Sequence, residues 1–120
     1  MKKSKSFTEL IVWKKSHQFV LKVYKITKAF PREEMFGLTS QFRRAAVSIP
    51  ANIAEGYRRR GKNDKVRFFN ISEGSLEECK YYIILSKDLG FLNNIELLNS
   101  AEEISKLLDA YSKAILTSVS

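Results

Sequence analysis

Two basic tracts hold the side chains best suited to chemistry with a partner. The first is a row of lysines, Lys14, Lys15, Lys22 and Lys25, that gathers with Gln18 on one side of an N-terminal helical pattern. The second is the run Tyr57-Arg58-Arg59-Arg60-Gly61-Lys62. Ammonium groups and planar guanidinium forks match phosphate oxygens, and Tyr57 could stack on a base. Contacts of this kind set affinity and salt dependence rather than sequence choice. The plainer reading is that these cations solvate exposed faces, the arginines also complementing a helix C-terminus.

Catalysis has little to stand on. His17 is the only histidine and lies at the edge of an apolar helix face, where a hydrogen bond to a neighbouring helix is expected of it. Cys79 is the only cysteine, which excludes an intramolecular disulfide and a thiolate zinc site, and it falls on an apolar stripe where cysteine acts as a small hydrophobe. Glu73, Glu77 and Glu78 resemble a carboxylate cluster, but a di-iron bundle also needs Glu-x-x-His pairs. There is no P-loop and no Gly-x-Gly-x-x-Gly. No catalytic residue, metal or cofactor is expected. Arg43, Arg44, Asn52 and Glu55 interrupt a second helix rich in small residues, as Ser75 and Glu78 interrupt the third. A charge-assisted Arg–Glu contact between those helices is the structural role expected of them.

The elements that must carry these groups are all helical. The chain of 120 residues, 44% apolar and 28% charged, fits one domain over 1–120 with a real core. The first helix is expected over about 8–30, with Val12, Phe19, Val23, Ile26 and Phe30 on one stripe and Leu10, Trp13, Val20 and Tyr24 beside it. Pro31 stops it. The second, about 39–60 with Thr39 or Ser40 as cap, carries Phe42, Ala46, Ile49, Ile53 and Tyr57, and Pro50 is expected to kink it. The third, about 64–89 with Asn63 as cap, carries Phe69, Ser72, Leu76, Cys79 and Ile83; Gly74 is read as permitting a close contact and Gly90 as the terminator. The fourth, about 94–117 with Asn93 or Asn94 as cap, carries Leu97, Ala101, Ile104, Leu108, Tyr111 and Ile115. Short connections make neighbours antiparallel. The fold expected is all-α, an up-down-up-down four-helix bundle.

Charge divides along the chain. Residues 1–62 hold 15 basic and 4 acidic side chains, and residues 63–120 hold 6 and 9, so a net +11 half is followed by a net −3 half. Such asymmetry points to a polyanion partner or to attraction between chains. The N-terminal Met-Lys-Lys-Ser-Lys-Ser leads into no uninterrupted apolar run, so it does not read as a signal peptide, and no stretch is apolar enough to span a membrane. A cytoplasmic location is expected.

Some spacings resemble a known family. Phe7-x-x-Leu10-x-Val12-Trp13, Tyr24 and Phe30-Pro31-x-Glu33 are followed by a long run from Gly37-Leu38 through Gln41-x-Arg43-Arg44-Ala45-Ala46-x-Ser48-Ile49-Pro50-x-Asn52-Ile53-Ala54-Glu55-Gly56. Phe68 or Phe69, Ile71 and Gly74-Ser75-x-x-Glu78 complete the set, which covers residues 7–92; the fourth helix agrees in pattern only. This resembles the 23S rRNA intervening-sequence protein family, also called the four-helix-bundle protein family. The resemblance implies a bacterial, cytosolic bundle with no catalytic site. Members are encoded in insertions of large-subunit rRNA genes or elsewhere, and a relative is the accessory protein of diversity-generating retroelements. That relative implies a homo-oligomer, a pentamer in the first instance, with RNA or DNA and a reverse transcriptase as partners.

The function expected is therefore that of a non-enzymatic, self-assembling bundle that holds a nucleic-acid backbone through Lys14, Lys15, Lys22, Lys25, Arg58, Arg59, Arg60 and Lys62. The alternative is a protein-interaction scaffold with no nucleic-acid role.

Overall fold

The computed structural model describes residues 5–118. The N-terminal stretch read above as no signal peptide begins outside the described residues. Four helices follow in order: α1 (Ile11–Thr27), α2 (Leu38–Arg58), α3 (Lys62–Asp88) and α4 (Leu97–Thr117). The protein is an all-α four-helix bundle about 50 Å long and 22 Å wide.

Local chemistry sets the ends of each helix. Ser6 accepts the Thr8 amide and starts a single 3-10 turn, Phe7–Glu9, so α1 begins at Ile11 rather than near Thr8. Thr27 turns its hydroxyl back onto the Val23 carbonyl at 2.7 Å in the last turn of α1. A second 3-10 turn, Arg32–Glu34, follows Pro31. From there the Glu34 carboxylate accepts the Leu38 amide at 3.2 Å. That contact takes the place expected of Thr39 or Ser40, and Thr39 is buried instead. Asn63 lies inside α3, whose N-cap position is Gly61. Gly90 does end α3: at φ +82° it sends its amide to the Lys87 carbonyl while Phe91 bonds the Ser86 carbonyl. That pair of bonds is a Schellman closure. Asn94 accepts the Glu96 amide at 3.0 Å just ahead of α4, two residues before the cap position, which Glu96 occupies.

The apolar stripes meet on the bundle axis. Val12, Phe19 and Val23 of α1, Phe42, Ala46, Ile49 and Ile53 of α2, and Ala101, Ile104 and Leu108 of α4 are all buried. So is the whole α3 stripe of Phe69, Ser72, Leu76, Cys79 and Ile83. Side-chain pairs fall as antiparallel neighbours require. Ser72 donates to the Ile49 carbonyl at 2.8 Å, Ser75 meets Ser48 at 2.8 Å, and Tyr82 meets Gln41 at 3.3 Å. On the opposite seam Lys15 pairs with Glu103 and Lys22 with Ser100.

The two helix-interior glycines behave differently. A Cβ added at Gly56 would lie 2.8 Å from the Phe69 ring and 3.1 Å from the Lys65 carbonyl, so α3 crosses α2 here at a distance only glycine allows. A Cβ at Gly74 would meet nothing within 4 Å, so the close contact expected there is absent. Pro50 sits inside α2 and offers no N–H to the Ala46 carbonyl.

Candidate nucleic-acid interface

The bundle puts the basic half of the chain, α1 and α2, on one side and the acidic half, α3 and α4, on the other. The lysines of α1 then divide by partner. Lys15 meets the Glu103 carboxylate, and Lys22 reaches the Ser100 hydroxyl at 3.4 Å, both on α4. Lys14 and Lys25 are exposed and have no side-chain partner among the described residues, although Lys25 also borders the gap between α1 and α4. They are eleven residues apart, roughly 16 Å at ~1.5 Å per residue.

The arginine run divides too. Arg58 and Arg60 are exposed and unpaired among the described residues. Arg59 is held on its own bundle by Glu55 at 2.9 Å and Asp64 at 3.8 Å, with its guanidinium 4.7 Å over the Phe68 ring. Lys62 donates to the Ser118 carbonyl. Tyr57 is half-buried and has the Lys65 ammonium 5.8 Å from its ring. Lys65 also donates to the Tyr57 carbonyl at 2.8 Å and the Gly56 carbonyl at 3.3 Å, closing the end of α2; burial lowers its pKa.

The cations therefore form two groups rather than one. Arg58, Arg60 and Lys62 sit at the end where the α2–α3 turn meets Ser118, just past α4. Lys25 sits toward the other end, where the α1–α2 and α3–α4 connectors meet through Phe30 and Phe91, their rings 5.4 Å apart. Two further exposed, unpaired cations belong to this second group, Lys28 and Arg32. Neither is among the contacts expected from the sequence: Lys28 falls inside the first helix as expected over about 8–30 but off its lysine row, and Arg32 falls in the connector after Pro31.

The remaining polar residues make other contacts than expected, and Arg44 is exposed without a hydrogen-bond or ion-pair partner among the described residues. Arg43 turns to α1, donating to the Thr27 hydroxyl at 2.8 Å and lying 4.7 Å over the Tyr24 ring. Glu55 pairs along its own helix with Arg59. Glu78 accepts from the Tyr82 hydroxyl at 3.3 Å, and burial and then this carboxylate raise the Tyr82 pKa. Asn52 donates to the carbonyl and hydroxyl of Ser48. Arg44 and Glu78 line one cleft of about 340 Å³ with Gln41, Ser48 and Ser75. No Arg–Glu ion pair joins α2 to α3 among the described residues, because Arg43 faces the other neighbour.

The groups weighed for catalysis are quiet. His17 is exposed and stacks on Trp13, ring centroids 5.1 Å apart, instead of bonding a neighbouring helix. Burial, helped by Glu78, pushes the Cys79 thiol up to about 12, so it carries no thiolate at neutral pH. Among the described residues no group of three or more His, Cys, Asp or Glu could hold a metal ion, and no helix is long and apolar enough to cross a membrane.

Comparison with known proteins adds the family. Residues 8–110 match the 23S rRNA-intervening sequence protein family, which covers most of the chain and reaches deep into α4. The chain belongs to that family. A solved structure with this fold is a protein of unknown function from the S23 ribosomal protein family of Bacteroides thetaiotaomicron. It is 27% identical, the match covers 86% of this chain and 99% of that one, and the TM-score is 0.79. No curated protein matches. For this member of the intervening-sequence family, the resemblance read from residues 7–92 understated the match, which runs through most of the fourth helix.

Proposed function

We propose that this protein is a non-enzymatic bundle that binds the phosphate backbone of RNA or DNA. The observation that carries the reading is the set of outward, unpaired cations on the basic side: Lys14, Lys25, Lys28, Arg32, Arg58 and Arg60. Cations already held by carboxylates gain less from a phosphate, so Lys15 and Arg59 contribute less than their neighbours. A strand lying along the bundle would meet both groups, and each neutralised phosphate releases counterions.

Fluorescence anisotropy with a labelled RNA and a labelled DNA tests this. Binding is expected to weaken steeply with salt. Lys25→Ala/Arg58→Ala/Arg60→Ala should weaken it by tenfold or more and flatten the salt dependence. Equal binding by wild type and this variant at low salt would overturn the assignment.

Exposed apolar side chains support a second reading, a protein-interaction scaffold. Phe36 is 94% exposed beside Met35 in the α1–α2 connector, and Tyr81 and Ile84 on α3 and Leu89 just after it are exposed. Self-association, with a pentamer as the first assembly to test, would cover such residues, as would docking a reverse transcriptase or another partner. Light scattering that returns only a 13.8 kDa particle would remove self-association. Co-purification that survives nuclease and high salt would favour the scaffold over the backbone binder.

A further inference from the structure

At the connector end of the bundle, α1 does not close against α4. A cleft of about 360 Å³ opens between them, walled by Ile26, Leu92 and Leu97 and carrying Lys22 and Lys25 on its α1 side. This lies near the low end of the range, roughly 300–1,000 Å³, typical of small-molecule sites. The polar groups are few and divided by chemistry. Both lysines can only donate. Glu96, when ionised, can only accept, and Asn94 and Ser100 complete the lining. The Asn94 carbonyl oxygen already accepts the Glu96 amide, which leaves its NH2 group free to donate.

We infer that this cleft takes a single unpaired nucleotide of the bound strand. The inference rests on the nucleic-acid reading above and makes it specific. The phosphate sits on the Lys22 and Lys25 ammonium groups. The base lies against Ile26, Leu92 and Leu97, where burial of its faces replaces aromatic stacking. Glu96 fixes the direction of entry: its carboxylate repels the phosphate and accepts from a base N–H, while Asn94 and Ser100 can donate to a base carbonyl or ring nitrogen. A duplex cannot use the site without unpairing, because its bases face one another inside the helix. Exposed Lys28 and Arg32, on the α1–α2 connector at the same end of the bundle, would meet the flanking phosphates.

The test has two arms on the full-length chain. In the first, 15N-labelled protein is titrated with AMP and separately with inorganic phosphate. AMP is expected to shift the amides of Ile26, Leu92 and Ser100, and phosphate alone to shift them far less. Equal shifts from both would mean that no base enters and would overturn the inference. In the second arm, single-stranded RNA and the same sequence as a duplex compete for the protein. The single strand is expected to bind at least tenfold more tightly. Leu97→Trp, which fills the cleft without changing charge, should abolish the AMP shifts and erase that preference while leaving salt-dependent duplex binding in place. Lys22→Gln/Lys25→Gln, which touches no buried side chain, should weaken AMP binding even if the tryptophan variant fails to fold. Duplex binding as tight as single-strand binding would overturn the inference and leave the backbone reading standing. AMP shifts without binding of any polynucleotide would overturn the backbone reading and, with it, the assignment of the cleft to a nucleotide of a bound strand.

Discussion

The seam between α2 and α3 and the seam between α1 and α4 are built from opposite materials. The first is made of small residues and short hydrogen bonds. Gly56 lets the Phe69 ring lie against the α2 backbone, Ser72 reaches the Ile49 carbonyl, and Ser75 meets Ser48. The second is spanned by long side chains, Lys15 to Glu103 and Lys22 to Ser100, and it opens into a cleft at one end. Small residues bring the two backbones together where Gly56 meets Phe69, while farther along the same seam Gln41, Arg44, Ser48, Ser75 and Glu78 line a polar cleft. Long cations hold helices apart and leave donors at the surface. The tight seam should therefore carry stability, and the open seam should carry binding.

That contrast can be broken in order of expected effect. Phe69→Ala empties a position that is only 2% exposed and should cost ~3–5 kcal/mol by chemical denaturation. Gly56→Ala should cost ~1–3 kcal/mol, because the added methyl overlaps the Phe69 ring and the overpacking outweighs the gain in helix propensity. Gly74→Ala, chemically the same change in open space, should instead stabilise by up to ~1 kcal/mol. If the two glycine variants moved stability in the same direction, the close approach at Gly56 would not be what holds the seam. On the open seam, Lys15→Ala should change stability by less than ~1 kcal/mol, since its pair with Glu103 is solvent-exposed.

The smallest expected effect depends on pH. Burial first, then Asp109 and Glu77, raises the Glu73 pKa above its ordinary value. A raised carboxylate pKa means the folded state holds its proton more tightly than the unfolded state. The penalty is therefore absent at low pH and develops as pH rises through the unfolded and then the folded pKa. Glu73→Gln should stabilise the protein at neutral pH by roughly a few tenths of a kcal/mol, discounted for exposure, and by nothing in strong acid. Thermal melts of both proteins across pH 2–7 measure it, and a constant difference would remove the electrostatic cause.

Much of the fold was legible because helix faces are written locally. The stripe Phe69, Ser72, Leu76, Cys79 and Ile83 is buried along its whole length, and Gly90 ends α3 through the positive φ that glycine accepts. Cap assignments were less legible. Thr39, Ser40 and Asn63 have the right chemistry, but Glu34 reaches Leu38 from a turn away and Gly61 begins α3. The candidate interface was legible as a list of cations and not as a surface. The four-residue spacing of Glu55 and Arg59 is a local signal for that pair, but nothing in the order of residues says that Asp64 also reaches Arg59 or that Lys28 and Arg32 join Lys25. His17 and Gly74 were misread for the same reason, since each depended on a neighbour that periodicity does not name.

By itself the sequence determined the helical class, the apolar face of each helix, the uneven charge of the two halves and the family. Those properties follow from the types and spacing of residues within one or two turns. Only the tertiary structure decided which glycine is indispensable, which cations are neutralised, and that Leu92 and Leu97 stand across from Lys25. Such pairings join residues far apart in the chain, and they are fixed by how the helices pack.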